Sequence, residues 1–117
     1  MAKKIRQINL EDDRPTVSQA LSRLKLELGL ASRQGIQVLK IIHGFGSTGN
    51  GGKIRVAVRR ELGAMQKKSA FGLVIPGEKL SIFEEETRTL LRRCPAFRKD
   101  SDINRHNNGI TVVLLKK

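Results

Sequence analysis

Three short apolar runs constrain this chain more than any other feature: IQVLKII at 36–42, AFGLVIP at 70–76 and ITVVLL at 110–115. Each has the length of a strand, and none is long enough to span a bilayer. A fourth segment, KIRQINL at 4–10, sets Ile5 beside Arg6 and Ile8 beside Asn9, as a half-buried strand does. The stretches between carry helical periodicity. Val17, Ala20, Leu21, Leu24, Leu28 and Ala31 share one face, with Pro15 suited to the first turn and either Gly35 or the earlier Gly29 to the stop. Ile54, Val58, Leu62 and Met65 make a second stripe. Ser81 and Glu84 have capping-box spacing, and Ile82, Phe83, Leu90 and Leu91 predict a third helix that ends at Cys94-Pro95. Strands alternating with helices predict crossover units and an α/β sandwich.

A length of 117 residues suits a single domain spanning 1–117. A lone cysteine, Cys94, allows no internal disulfide and fits a reducing compartment; it is expected to be buried rather than reactive. The opening Met-Ala-Lys-Lys has no apolar leader region, so a cytoplasmic location is expected. The formal net charge is +12, a large imbalance for so short a chain, and it calls for a polyanionic partner. Nucleic acid comes first, DNA before RNA, and no membrane partner is expected.

The apolar run at 36–42 leads straight into HGFGSTGNGG, residues 43–52, and a basic helical stripe follows. A glycine loop between a strand and a helix N-terminus is suited to anions, because amides point outward with the helix dipole behind them. The P-loop pattern fails here: its first glycine falls on Ser47, and its hydroxyl position is Ile54. The dinucleotide pattern does match at Gly44, Gly46 and Gly49, but Glu61 stands inside a helix where a strand-end acid is required.

From Lys40 to Lys68 there are seven basic residues (40, 53, 55, 59, 60, 67 and 68) against one acid, Glu61. On the second helix Arg55 and Arg59 share one flank, and Lys53, Arg60 and Lys67 share another. Both flanks avoid the apolar stripe and are expected to be wet. With no Trp or Tyr, base stacking can fall only to Phe45, which either faces a base or plugs the core.

The segment VLKIIHGFGSTGNGGKIRVAV resembles the His-Gly-x-Gly region of the small MutS-related (Smr) domain family. PTVSQALSRLKLEL is similar to the first helix of that domain, and NNGITVVLL to its closing Gly-x-Thr strand. Residues 66–103 are read as an insertion relative to the compact family core. The resemblance implies a two-layer α/β sandwich with a mixed four-stranded sheet in βαβαβ(α)β order, similar to the C-terminal domain of bacterial translation initiation factor three. It also implies nucleic-acid binding, which the anion-suited loop and the local basic excess place at His43, Gly44, Phe45, Gly46, Gly49, Gly51, Gly52, Lys53, Arg55, Arg59 and Arg60.

In several members the resemblance further implies nicking of DNA or RNA. The family's first motif, Leu-Asp-Leu-His-Gly, is replaced here by Ile8-Asn9-Leu10-Glu11-Asp12. A nicking enzyme would use His43 as acid or base, with Glu11 or Asp12 near a magnesium or manganese ion. Against that, Glu11, Asp12 and Asp13 can simply offset a helix dipole. His43 can equally hold a phosphate or brace the loop through a backbone carbonyl. His106 reads as a solvated turn residue, beside Arg105 and Asn107, which reach phosphate only if their turn lies near the glycine loop. Leu26 and Leu30 point off the first stripe, and the chain is expected as a monomer or weak dimer.

Overall fold

The computed structural model describes residues 4–45 and 51–116. Its elements run β1 (Ile5–Asn9), α1 (Val17–Arg33), β2 (Val38–Ile42), α2 (Gly51–Lys67), β3 (Leu73–Pro76), α3 (Glu85–Arg93) and β4 (Ile110–Leu114). Short 3-10 turns at Gly77–Lys79 and Pro95–Lys99 flank α3. The mixed four-stranded sheet has the order β1-β2-β4-β3. β1 runs parallel to β2, with Ile8 opposite Ile41, while β4 runs antiparallel to both β2 and β3, with Thr111 opposite Ile41 and Pro76. The element order is the one the family resemblance implies.

α1 forms where its periodicity puts it. Thr16 caps it reciprocally: Gln19 N–H donates to Thr16 Oγ1 at 3.1 Å, and Thr16 N–H to Gln19 Oε1 at 2.9 Å. Pro15 therefore stands one residue before the cap instead of inside the first turn. The acids 11–13 also fall short of that turn, which contains no acidic residue. At the other end Gly35 N–H reaches Ser32 O and Ile36 N–H reaches Ala31 O, a Schellman stop.

Strand alternation divides the core in two. Leu39, Ile41 and Val113 pack against Leu24 and Leu28 of α1 and Val58 and Leu62 of α2. Val38, Ile110, Val112 and Leu114 face the other way, onto Leu90, Leu91, Cys94 and Phe97. The two-layer expectation thus describes one face; α3 and its flanking turns add a thinner third layer on the other. Each fully buried aliphatic side chain contributes about 1.5–3 kcal/mol, so this second cluster is a substantial share of the stability. Cys94 is buried in it, as its sequence context predicts. No helix among the described residues is long and apolar enough to cross a membrane.

The third helix starts later than Ser81 and Glu84 predict. Ser81 Oγ accepts from Phe83 N–H at 3.2 Å, a contact two residues on that makes a local turn. The Ser81 amide is taken by Thr87 Oγ1. The helix begins at Glu85, and Ile82 and Phe83 are exposed instead of lining its apolar face.

Lys40 corrects the charge map. It sits in the middle of β2, 5 % exposed, among apolar neighbours. Its ammonium lies 3.0 Å from both Asp100 oxygens and bonds Asp102. Burial by itself pushes a lysine pKa down, but the hydrogen bonds to Asp102 and Asp100 outweigh it and the pKa rises. Lys40 is a neutralised structural cation on the α3 side of the sheet, not part of the wet basic face.

Candidate functional site

β2 delivers His43 to the mouth of the glycine loop, and the structure answers what the imidazole does there. The ring is fully buried. Nδ1–H donates to the Gly44 carbonyl at 2.8 Å, which leaves Nε2 to accept from the Thr111 hydroxyl, also at 2.8 Å. Thr111 Oγ1 in turn accepts from Arg59 Nε at 3.1 Å. One proton per bond runs consistently from Arg59 through Thr111 to His43 and on to Gly44. The ring therefore offers neither nitrogen to a ligand in this conformation. Among the three roles open to it in the sequence, it fills the bracing one.

Its electrostatics agree. Burial, chiefly, lowers the His43 pKa to about 4; the Gly44 carbonyl opposes this, and the Arg59 and Arg55 charges reinforce it. The imidazole is neutral at pH 7. Protonation is disfavoured in the folded chain relative to an ordinary pKa of 6.5, so stability is complete above 6.5 and drains away as pH falls toward 4. About 2 kcal/mol should be lost between pH 7 and pH 5, read as a lower urea midpoint. The Glu78 and Asp102 carboxyls, held below their ordinary range by Arg59 and by Lys40 against the opposing push of burial, lose their contribution only at lower pH. Equal midpoints at pH 7 and pH 5 would contradict the buried neutral ring.

Arg59 is not a wet flank residue. Its guanidinium forks onto Glu78 at 2.8 and 2.7 Å and also donates to the carbonyls of Asn108 and Ile110. It stitches α2 to β4 and to the turn after β3. Arg55, one helical turn earlier, is half-buried; Lys53 and Arg60 are exposed. None of these three makes a hydrogen bond or ion pair among the described residues.

Gly44 was expected to offer its amide to an anion. It is instead spoken for: the His43 and Gly44 N–H groups both donate to Gly109 O at 3.0 Å. Gly44 has φ +75°, and an added Cβ would stand 1.6 Å from Glu11 Oε1. Glycine is needed there both for the left-handed turn and for the carboxylate lying over its Cα. Glu11 is thus brought to the loop, whereas Asp12 is exposed. Among the described residues no three His, Cys, Asp or Glu side chains gather to hold a metal. Gly46 and Gly49 lie outside the described residues; Gly51 and Gly52 open α2.

The turn at 104–109 packs directly beside Gly44 and Phe45, where the loop begins, the condition under which Arg105 and Asn107 become relevant. A second network fixes it. Asp102, held by Lys40, accepts from Asn107 Nδ2 at 3.0 Å, and Asn107 Oδ1 accepts from Gly109 N–H at 2.9 Å. His106 is exposed as expected, and its Nδ1 lies 3.3 Å from Glu78 O. Thr111, Glu78 and Asp102 were not singled out as site residues by composition or spacing, and Asn107 was named for phosphate, not for the bracing role it has here. The one signal was the Gly-x-Thr of 109–111, whose glycine carbonyl and threonine hydroxyl are the two groups that clamp His43.

A glycine turn gripped between the strand that enters it and the strand that completes the sheet makes this a mixed α/β domain organised around its β2–α2 loop. The family model described as the Smr domain matches residues 13–81, and the chain belongs to that family. The fold is similar to the crystal structure of the Smr domain of Thermus thermophilus MutS2, with a TM-score of 0.57 and 20 % identity, covering 96 % of this chain and 99 % of that one. A comparison with curated proteins finds no match.

Proposed function

We propose that this domain binds nucleic acid through the phosphate backbone, DNA before RNA, at the loop after β2 and the first turns of α2. The observation that carries the reading is the set of cations left unspent. Lys40 and Arg59 are consumed by carboxylates, yet Lys53, Arg55 and Arg60 on the helix that the glycine loop opens make no hydrogen bond or ion pair among the described residues, Arg55 only sensing the Glu78 charge at longer range. A net charge of +12 leaves few acids to answer them. Membership of the Smr family, with its nucleic-acid association, supports the same direction.

Lys53→Ala combined with Arg55→Ala is expected to weaken duplex binding and to reduce the slope of log affinity against log salt by about two, near one per phosphate contact. Fluorescence anisotropy over a salt series measures it. An unchanged slope would defeat the proposal. Arg59 is unsuitable for this test, since removing it dismantles the clamp on β4.

Nicking, the alternative reading, needs a donor set around Glu11 and Asp12 for magnesium or manganese. With Glu11 lying over Gly44, Asp12 exposed and no group of three ligands gathered among the described residues, the side chains do not fit such an ion. No hydrolytic step follows from them.

A further inference from the structure

Beside Phe45 lies an open depression of about 650 Å³, lined by Phe45, Arg105, His106, Asn107 and Asn108, together with Ser101 and the Lys40-paired Asp102. Its size falls within the range of roughly 300–1,000 Å³ that takes small ligands. Phe45 forms part of the lining and is 53 % exposed, so its ring face is open to solvent on this side. Phe71 and Phe97 are buried in the two cores, while Phe83, also exposed, stands before α3 and does not line the depression. The opposite wall is a rigid turn. Asn104 and His106 adopt φ of 66° and 54°, Asn107 is tied to Asp102, and the Asn108 carbonyl is held by Arg59. The Asn108 amide and the Arg105 guanidinium make no side-chain hydrogen bond among the described residues.

We propose that this depression takes a single unpaired nucleobase, so that the domain prefers nucleic acid in which a base is free of its partner. The proposal rests on the phosphate-binding reading above and adds a substrate feature to it. A base has a flat π-face and an edge carrying both donors and acceptors. The Phe45 ring offers the stacking surface. The Asn108 amide supplies one acceptor and two donors in one plane, and Arg105 can meet the adjoining phosphate. A base inside a duplex cannot reach a wall of this kind, because its faces are covered by its neighbours and its edge by its partner. Only an unpaired or extruded base can enter. The net charge of +12 and the nearby Lys53 and Arg55 favour an occupant that carries phosphate beside its planar ring.

The chain lacks tryptophan and tyrosine, so the fluorescent base 2-aminopurine can be read with little protein background. Two oligonucleotide duplexes of equal length are compared, one fully matched and one with 2-aminopurine as a single-base bulge. The bulged duplex should bind about tenfold tighter at equal salt, the scale of one stacked base, and its emission should be quenched on binding. Phe45→Ala should bring the affinity ratio close to one and abolish the quenching, while Phe45→Tyr should retain both. Asn108→Ala should lower the ratio with quenching kept. Equal affinity for the two duplexes, or a bound bulge with unchanged emission, would overturn the base site while leaving phosphate binding in place. Failure to bind either duplex at low salt would remove the phosphate reading, and the base site with it. Far-ultraviolet circular dichroism of each variant separates lost recognition from lost folding.

Discussion

Gly77→Ala is expected to cost about 3 kcal/mol of stability and to lower the melting temperature by about 10 °C. A methyl group at that position would stand 1.9 Å from the Asn107 carbonyl oxygen, 2.5 Å from Ile110 Cγ1 and 2.9 Å from the Ile110 carbonyl oxygen. Two of those three atoms are backbone, so no rotamer change relieves the crowding; the 107–110 turn itself must move. That turn carries the carbonyl that receives the His43 and Gly44 amides, and the damage therefore spreads to the site. Thermal melts followed by circular dichroism measure the effect. A melting temperature within about 2 °C of the parent would show that the turn gives way freely, against the packing described above.

Lys40→Met is expected to cost about 2–3 kcal/mol, through the charges it leaves behind more than through the contact it removes. Methionine fits the apolar surroundings of β2, but Asp100 and Asp102, whose side chains are only 15 % and 20 % exposed, would then face each other without a cation. Their partial access to water keeps the cost below that of a wholly buried pair. Adding Asp102→Asn should restore part of the loss, because asparagine can still accept from Asn107 and carries no charge. Urea unfolding of the single and double variants decides the matter; a double variant whose loss equals the sum of two single losses would exclude the coupling.

Most of the architecture was legible because it depends on periodicity. The stripe Ala20, Leu24, Leu28 and Ala31 has no alternative to a helix against a sheet, and the apolar run of β2 reports burial on both faces. What escaped was pairing across long sequence separations. Lys40 and Asp100 are sixty positions apart, Arg59 and Thr111 fifty-two. Nothing local distinguishes Arg59 from Arg60, though one is locked to Glu78 and the other stands in solvent. Lys40 did carry a signal: a cation inside VLKII has apolar neighbours on both sides and must find a carboxylate. The capping box at Ser81 misled because Thr87, six residues on, competes for the same backbone. His43 was legible as important and illegible as to role, since a buried brace and an exposed acid look alike until Thr111 is seen against its ring.

The sheet order has a consequence for how the molecule is made. β4 is the last strand in sequence and lies between β2 and β3, pairing with both. Before β4 is in place, those two strands have an empty slot between them, with the ladder-forming backbone groups of Val38–Ile42 and Leu73–Pro76 facing it. The sheet therefore closes only when residues 110–114 are available to pair across both neighbours, so its folding waits on contacts of long sequence separation.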